Sequence, residues 1–424
     1  MSRITQNMKK AHYAWAVLVS CCALMFGTGL TSNAIGQYFV PVTSELGLGM
    51  GQFTIYYAMR GVFVVFSTTM LNRWLEKFEI RVLVMSCFGV QLICTALMGT
   101  FTAVWQWYII GAVMGFFLAP VYYILPPIVL SNWFNKKRGL VIGIAISFTG
   151  IGGIIMNPIL ASIIHNFGWR AAYFINAIIA GVIVLPFLLL LRKKPADKGL
   201  EPYGSEEREP KMGPDGKDAA VVNPDPHKGV SRDVAVHSFS FILLIVLCII
   251  FGFYAGYPQH LTAYGISIGY SATFASYFLS LNMLGNVLTK LTFGFISDRF
   301  GGKAMIYTAL CIIMASFLLL LVGGRYLPAL FIGSLLGGCL LSISSVGTPL
   351  MLQAVYGARD SARIFLLISL GQNLFVSLGP SIVGFMFDHS GGYAFPLTVG
   401  AIVTVAAFIL VFSSFLTSRK LHWS

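Results

Sequence analysis

Twelve runs of about twenty or more mostly apolar residues follow one another along this chain, near 14–40, 52–72, 82–101, 107–130, 139–164, 171–191, 239–262, 271–296, 304–322, 327–354, 363–387 and 393–416. Each is long enough to cross a hydrocarbon core about 30 Å thick. Lipid offers the backbone no hydrogen-bond partner, so each run must satisfy itself as a helix. Of the 424 residues 57% are hydrophobic and 10% charged, against about 25% charged in soluble domains. The first run is too long for the core of a cleaved signal peptide and is expected to remain as a helix, with no segment processed away.

The runs fall into two related sets. Gly294-Phe-Ile-Ser-Asp298-Arg299-Phe-Gly301-Gly-Lys303 has a worn copy upstream, Asn72-Arg73-Trp-Leu-Glu76-Lys77-Phe78-Glu-Ile-Arg81. The interval that separates Asn72 from Gly294 also joins Gly111 to Gly333, Gly115 to Gly337, Pro127 to Pro349, Pro158 to Pro380 and Gln37 to Gln259. A repeat of this length in a membrane chain predicts twelve transmembrane helices in two pseudo-symmetric six-helix bundles. The expected units are an N-terminal bundle, 1–191, and a C-terminal bundle, 239–424. Between them, 192–238 carries 9 basic and 9 acidic residues with Pro and Gly, and reads as a flexible cytoplasmic tether.

Charge sets the expected orientation. If the chain begins inside, 24 of its 28 Lys and Arg lie in cytoplasmic segments and only Arg170 and Arg325 in external loops. This asymmetry predicts cytoplasmic termini in a multi-pass protein of the plasma (inner) membrane. The net charge of +13 then reflects topology and contact with membrane lipids, not nucleic acid. The seven cysteines, at 21, 22, 87, 94, 248, 311 and 339, all fall within runs and read as packing residues. No His-Glu-x-x-His helix or glycine-rich phosphate loop is present, so neither an enzyme nor a metal or other cofactor is expected. The chain is expected to act as a monomer.

The acids make the site legible. Outside 192–238 they are Glu45, Glu76, Glu79, Asp298, Asp360 and Asp388, all in loops or at helix ends. Yet Arg60 and Lys290 lie inside runs. A cation at a helix centre costs about 2.5–3.5 kcal/mol, so one without an acid should face a wet cavity or await an anionic ligand. Asn282, Asn286 and Lys290 recur every four residues and share one helical face. Asn33 and Gln37 repeat that spacing in the first run, Tyr57 sits near Arg60, and Tyr122 and Tyr123 precede Pro126-Pro127. Tyr257, His260, Gln372 and Asn373 complete the candidate substrate-binding set, although polar groups in spans also serve as interhelical hydrogen bonds. Asp298 and Arg299, with the upstream copy Glu76 and Lys77, are the candidate gating residues, because a carboxylate beside helix ends can pair with cations or N-terminal amides.

The 294–303 turn resembles the signature loop of the major facilitator superfamily. Tyr13-Ala-Trp15, Ser131-Asn-Trp133-Phe134-Asn-Lys-Lys-Arg138-Gly139 and Phe167-Gly168-Trp169-Arg170-Ala-Ala are together similar to the monocarboxylate transporter and oxalate/formate antiporter group. The resemblance implies a major facilitator fold, no enzymatic activity and a small-molecule organic anion as substrate. It places the group's cation of the eighth helix on Lys290. The animal branch's acid falls on Asn286 and its lysine of the first helix on Asn33, so that branch's proton-coupling residues do not carry over. The leading expectation is a transporter moving a monocarboxylate or related carboxylate by alternating access, whether by exchange, uniport or entry with a proton. An exporter of amphiphilic or drug-like compounds and a non-transporting membrane sensor of the same fold are the alternatives.

Overall fold

A computed structural model of the protein describes residues 12–119, 125–135, 138–204, 229–357 and 360–418. Among these, nine helical stretches are apolar and long enough to span a bilayer. Two of the nine, Arg138–Leu188 and Ala272–Gly323, have 51 and 52 residues. With a rise of about 1.5 Å per residue, either would be more than twice the thickness of a bilayer core if straight. Both fold back at one residue, Gly168 (φ 78°, ψ 163°) and Gly301 (φ 83°, ψ 159°), in a backbone region essentially restricted to glycine. With the shorter helix that starts at Val104, this makes twelve.

In chain order they are α1 (Tyr13–Leu46), α2 (Met50–Lys77), α3 (Ile80–Thr100), α4 (described over Val104–Ala119 and Leu125–Trp133), α5 (138–167), α6 (169–188), α7 (Phe239–Ser267), α8 (272–300), α9 (302–323), α10 (Leu327–Tyr356), α11 (Ser361–Ser390) and α12 (Ala394–Ser418). The odd-numbered helices start on the face that carries the 192–238 connection, here the linker side; the even-numbered ones start on the far side.

Both halves interrupt their first helix at the same place. α1 tightens to a 3₁₀ turn at Ile35–Tyr38 and α7 at Tyr257–His260, positions that the repeat pairs with one another. The two turns pack together so closely that a Cβ built on Gly36 would lie 2.2 Å from the Gln259 carbonyl oxygen. Elsewhere the halves meet along two helix pairs, α2 with α11 and α5 with α8. Small residues let these backbones approach, as lipid-immersed helices require. Gly61 faces Ser377, and Gly150 faces Val287.

The connection between the halves departs from the expected flexible tether at both of its ends. Tyr203 donates its N–H to the Trp133 carbonyl (2.8 Å) and accepts one from Asn135 (3.0 Å), while Val230 donates to the Tyr356 carbonyl (2.8 Å). Phe134 and Tyr356 are counterparts in the repeat, so the two ends are tied to equivalent helix ends in the two halves. Apolar contact supports the first tie, where Tyr203 packs against Trp15 and Phe134. Composition hid these ties because each uses backbone groups. Residues 205–228 lie outside the described residues.

Candidate functional site: a cationic cavity between the halves

Arg60 lies in the third turn of α2 and is only 5% exposed. Its neighbour across α4 is Gly115, where a Cβ would sit 2.1 Å from the Arg60 carbonyl oxygen; α4 thus backs α2 and leaves the guanidinium to project inward. Nη2 donates to the Ser32 hydroxyl at 2.7 Å, and the group lies 5.6 Å from the Tyr57 ring centroid. Nε and Nη1 are buried and have no partner among the described residues. Arg60 lines a lobe of about 140 Å³ with Ser32, Asn33, Tyr57, Gln259, Asn373 and Ser377.

A second, larger lobe of about 350 Å³ adjoins it, lined by Thr149, Asn286, Lys290, Ser344, Ser345 and Gln372 among others. Asn33, Ala255, Leu341, Asn373 and Val376 belong to both lobes, so the two form one cavity between the halves. Among the described residues, no Asp or Glu lines either lobe, and neither Arg60 nor Lys290 forms an ion pair. Two cations therefore line this cavity, one in each lobe, without an acid among its lining residues to offset them.

The broken helices supply much of the polar lining. Asn33 ends the first segment of α1 and donates Nδ2 to the Thr149 carbonyl at 2.9 Å, which fixes its amide between the lobes. In α10 the backbone widens to a π turn at Ile343–Gly347 and turns Ser344 and Ser345 toward the cavity. Such π bulges recur at functional sites. Ser32, Thr149, Gln259, Ser344, Ser345, Ser369 and Ser377 were missed as site candidates. For Gln259 the signal existed, since the repeat pairs it with Gln37; for the serines of the π turn no local pattern marks the extra residue.

Several candidates lie elsewhere. Asn282, on the same row as Asn286 and Lys290, is fully buried against α10 and donates to the Ser334 carbonyl at 3.2 Å. A spacing of four advances about 400° around a helix, so the row drifts by about 40° per step and its far-side end leaves the cavity. Gln37 is buried in the contact between halves, donating to Thr262 Oγ1 (3.0 Å) and Asn157 Oδ1 (3.3 Å). Tyr257 donates to the Pro396 carbonyl at 2.8 Å. His260 holds the Pro380 carbonyl at 2.8 Å through Nε2 and the Tyr393 hydroxyl at 3.0 Å through Nδ1. Because a carbonyl only accepts, Nε2 carries the proton and Nδ1 accepts. The ring is thereby satisfied in its neutral form, off the central cavity. Tyr122 and Tyr123 lie outside the described residues.

The charged turns are unlatched. Asp298 is exposed and forms no ion pair among the described residues; Arg299 and Lys77 rest over the neighbouring rings of Phe300 and Phe78 at 5.5 and 5.8 Å, and Glu76 is exposed. Among the described residues, hydrogen bonds join the helical halves toward the far side. They are Gln37 to Thr262, Ser280 to the Ile154 carbonyl (3.0 Å), and the Met50 and Gly51 amides to Asp388 (2.9 and 2.8 Å). These bonds hold the halves together on the far side of the cavity.

Comparison with known proteins agrees with this architecture. The family model described as Major Facilitator Superfamily matches residues 19–281 and 266–424. The chain belongs to this superfamily. It is therefore a multi-pass integral membrane protein of a superfamily of transporters. Monocarboxylate transporter 12 of Mus musculus is 23% identical over 325 residues, 68% of this chain and 60% of the relative; the match thus spans less than two thirds of that protein's length. Among solved structures, the nucleoside transporter NupG superposes with a TM-score of 0.70 at 14% identity, covering 97% of this chain and 100% of that one. A bacterial homolog of the human lysosomal transporter Spinster gives 0.68 at 14% identity, covering 97% and 98%. At such identity the superfamily fold is what these structures share with the chain.

Proposed function

We propose that this superfamily member moves a small organic anion, a monocarboxylate or related carboxylate, by alternating access. The observation that carries the reading is that Arg60 lines one lobe of the cavity and Lys290 the other, with no acid lining either among the described residues. An anion arriving between the halves supplies the missing charge. Arg60 offers a permanent charge with unpaired N–H donors, and Lys290 adds a point charge with freer geometry. Ser32, Asn33, Asn286 and Asn373 give further polar contacts to the remaining oxygens. The name of the mouse relative points to the same chemistry, whereas NupG is named for nucleosides.

In this reading the halves are 1–191 and 239–424, joined by 192–238, and both termini are cytoplasmic in the plasma (inner) membrane. The linker side is then the cytoplasmic side, and the present conformation is inward-facing. Uptake of carboxylates into proteoliposomes tests the site. Lys290→Gln should abolish uptake while the purified protein keeps its thermal transition; undiminished uptake by this variant would refute the assignment. A thermal-shift screen against carboxylates, sugars and amines tests the cargo, since a ligand stabilises the state it binds. Stabilisation by neutral sugars alone would refute an anionic substrate.

A further inference from the structure

The cavity holds more hydrogen-bonding groups than a simple anion can use. A carboxylate accepts at about four lone-pair sites and donates nothing. Lys290 brings three N–H donors, and Arg60 has two nitrogens unpaired, so the cations cover a carboxylate without help. Yet Gln259, Asn286 and Asn373 also line the two lobes.

These three amides are uncommitted. Gln259 is 4% exposed and its Oε1 is buried with no partner. Asn286 is 8% exposed. Beyond the helix ladder, Asn286 and Asn373 are bonded through their backbone carbonyls, by Thr289, Ser342 and Ser377, which leaves both side-chain amides without a protein partner among the described residues.

Each has a close relation in the chain that is spent on structure. Gln37, paired with Gln259 by the repeat, donates to Asn157 and Thr262. Asn282, one turn from Asn286, donates to the Ser334 carbonyl. Gln372, beside Asn373, donates to the Ser344 carbonyl and to Thr348 Oγ1, both at 2.9 Å. The fold thus uses one member of each pair between helices and leaves the other facing the cavity.

An amide presents a donor and an acceptor whichever way it is turned, and a buried one left unpaired costs stability. Its oxygen needs a donor that no carboxylate supplies. Ammonium and guanidinium donors are repelled, since the lobes carry two cations and no acid among the described residues. Hydroxyls remain, and they pair with both ends of an amide. Room is present as well: the larger lobe, about 350 Å³, falls among pockets of about 300–1,000 Å³ that hold ligands well beyond acetate in size.

We infer that the cargo is a polyhydroxylated carboxylate, the chemical class of the sugar acids, whose charge answers the cations and whose hydroxyls pair with Gln259, Asn286 and Asn373. The inference rests on the anion reading of the same cavity and narrows it.

Titration calorimetry of the full-length protein in nanodiscs separates charge from hydroxyls, with hexanoate, glucose and a panel of gluconate, galactonate and glucuronate as ligands. At least one sugar acid should bind about 100-fold more tightly than hexanoate, the value of three net hydrogen bonds at about five-fold each. Q259L and N286L should each narrow that ratio by about five-fold. Hexanoate binding as tightly as every sugar acid would overturn the inference and leave the anion reading standing. Glucose binding without either kind of acid would overturn both. Silence from every ligand, in protein that keeps its thermal transition, would likewise overturn the inference, as would a ratio that neither variant moves.

Discussion

Arg60 reaches the Ser32 hydroxyl with one nitrogen at 2.7 Å and buries its other two guanidinium nitrogens unpaired. A charge held this way costs stability in the empty protein and is offset when an anion binds, because burying a charge without a partner forfeits its hydration.

Replacing it should therefore separate stability from transport. Arg60→Met is expected to stabilise the substrate-free protein by about 1–4 kcal/mol, by analogy with apolar replacement of buried ions, and to abolish uptake. Thermal denaturation in detergent and proteoliposome uptake are the two measurements. A fall in stability accompanying the lost uptake would mark Arg60 as a structural residue.

Asn282 and Asn286 are one helical turn apart with different surroundings. Asn286→Ala should raise KM for the anion with little change in melting temperature. Asn282→Ala should leave KM unchanged and cost about 1–3 kcal/mol, the penalty for leaving the Ser334 carbonyl buried without its donor. The reverse pattern would show that α8 is rotated relative to the arrangement described.

The bends at Gly168 and Gly301 are required by backbone conformation, since nothing lies within 4 Å of a Cβ at either. Gly301→Ala should cost about 1–3 kcal/mol through strain alone. Gly324→Ala, where φ is −57° and a Cβ likewise meets nothing, should be neutral or slightly favourable. Denaturant titration of the two variants distinguishes strain from crowding, and equal effects would remove the conformational explanation.

Gln37 ties the 3₁₀ turn of α1 to Thr262 beyond the 3₁₀ turn of α7. Gln37→Ala should loosen the far-side seal, increasing modification of N33C by a membrane-impermeant thiol reagent added from that side by about five-fold, the value of one net hydrogen bond of about 1 kcal/mol. Unaltered reactivity would mean that the seal depends on backbone packing at Gly36 and not on this side chain.

What the sequence determined rests on quantities a linear text carries without loss. Run length against bilayer thickness gives the spans, and the constant interval between Gly111 and Gly333, or Pro158 and Pro380, gives the duplication. The scarcity of acids leaves Arg60 and Lys290 as charges in search of an anion. Tertiary structure decided what depends on rotation and on meeting across the halves. The row Asn282, Asn286 and Lys290 has one spacing, yet packing of α8 against α10 sends its first member to Ser334 and its other two to the cavity. Likewise Asp388 reads as one more acid at a helix end until α11 lies against α2 and delivers it to the amides of Met50 and Gly51. Periodicity fixes which residues share a face; only the neighbours that a face packs against fix where that face points.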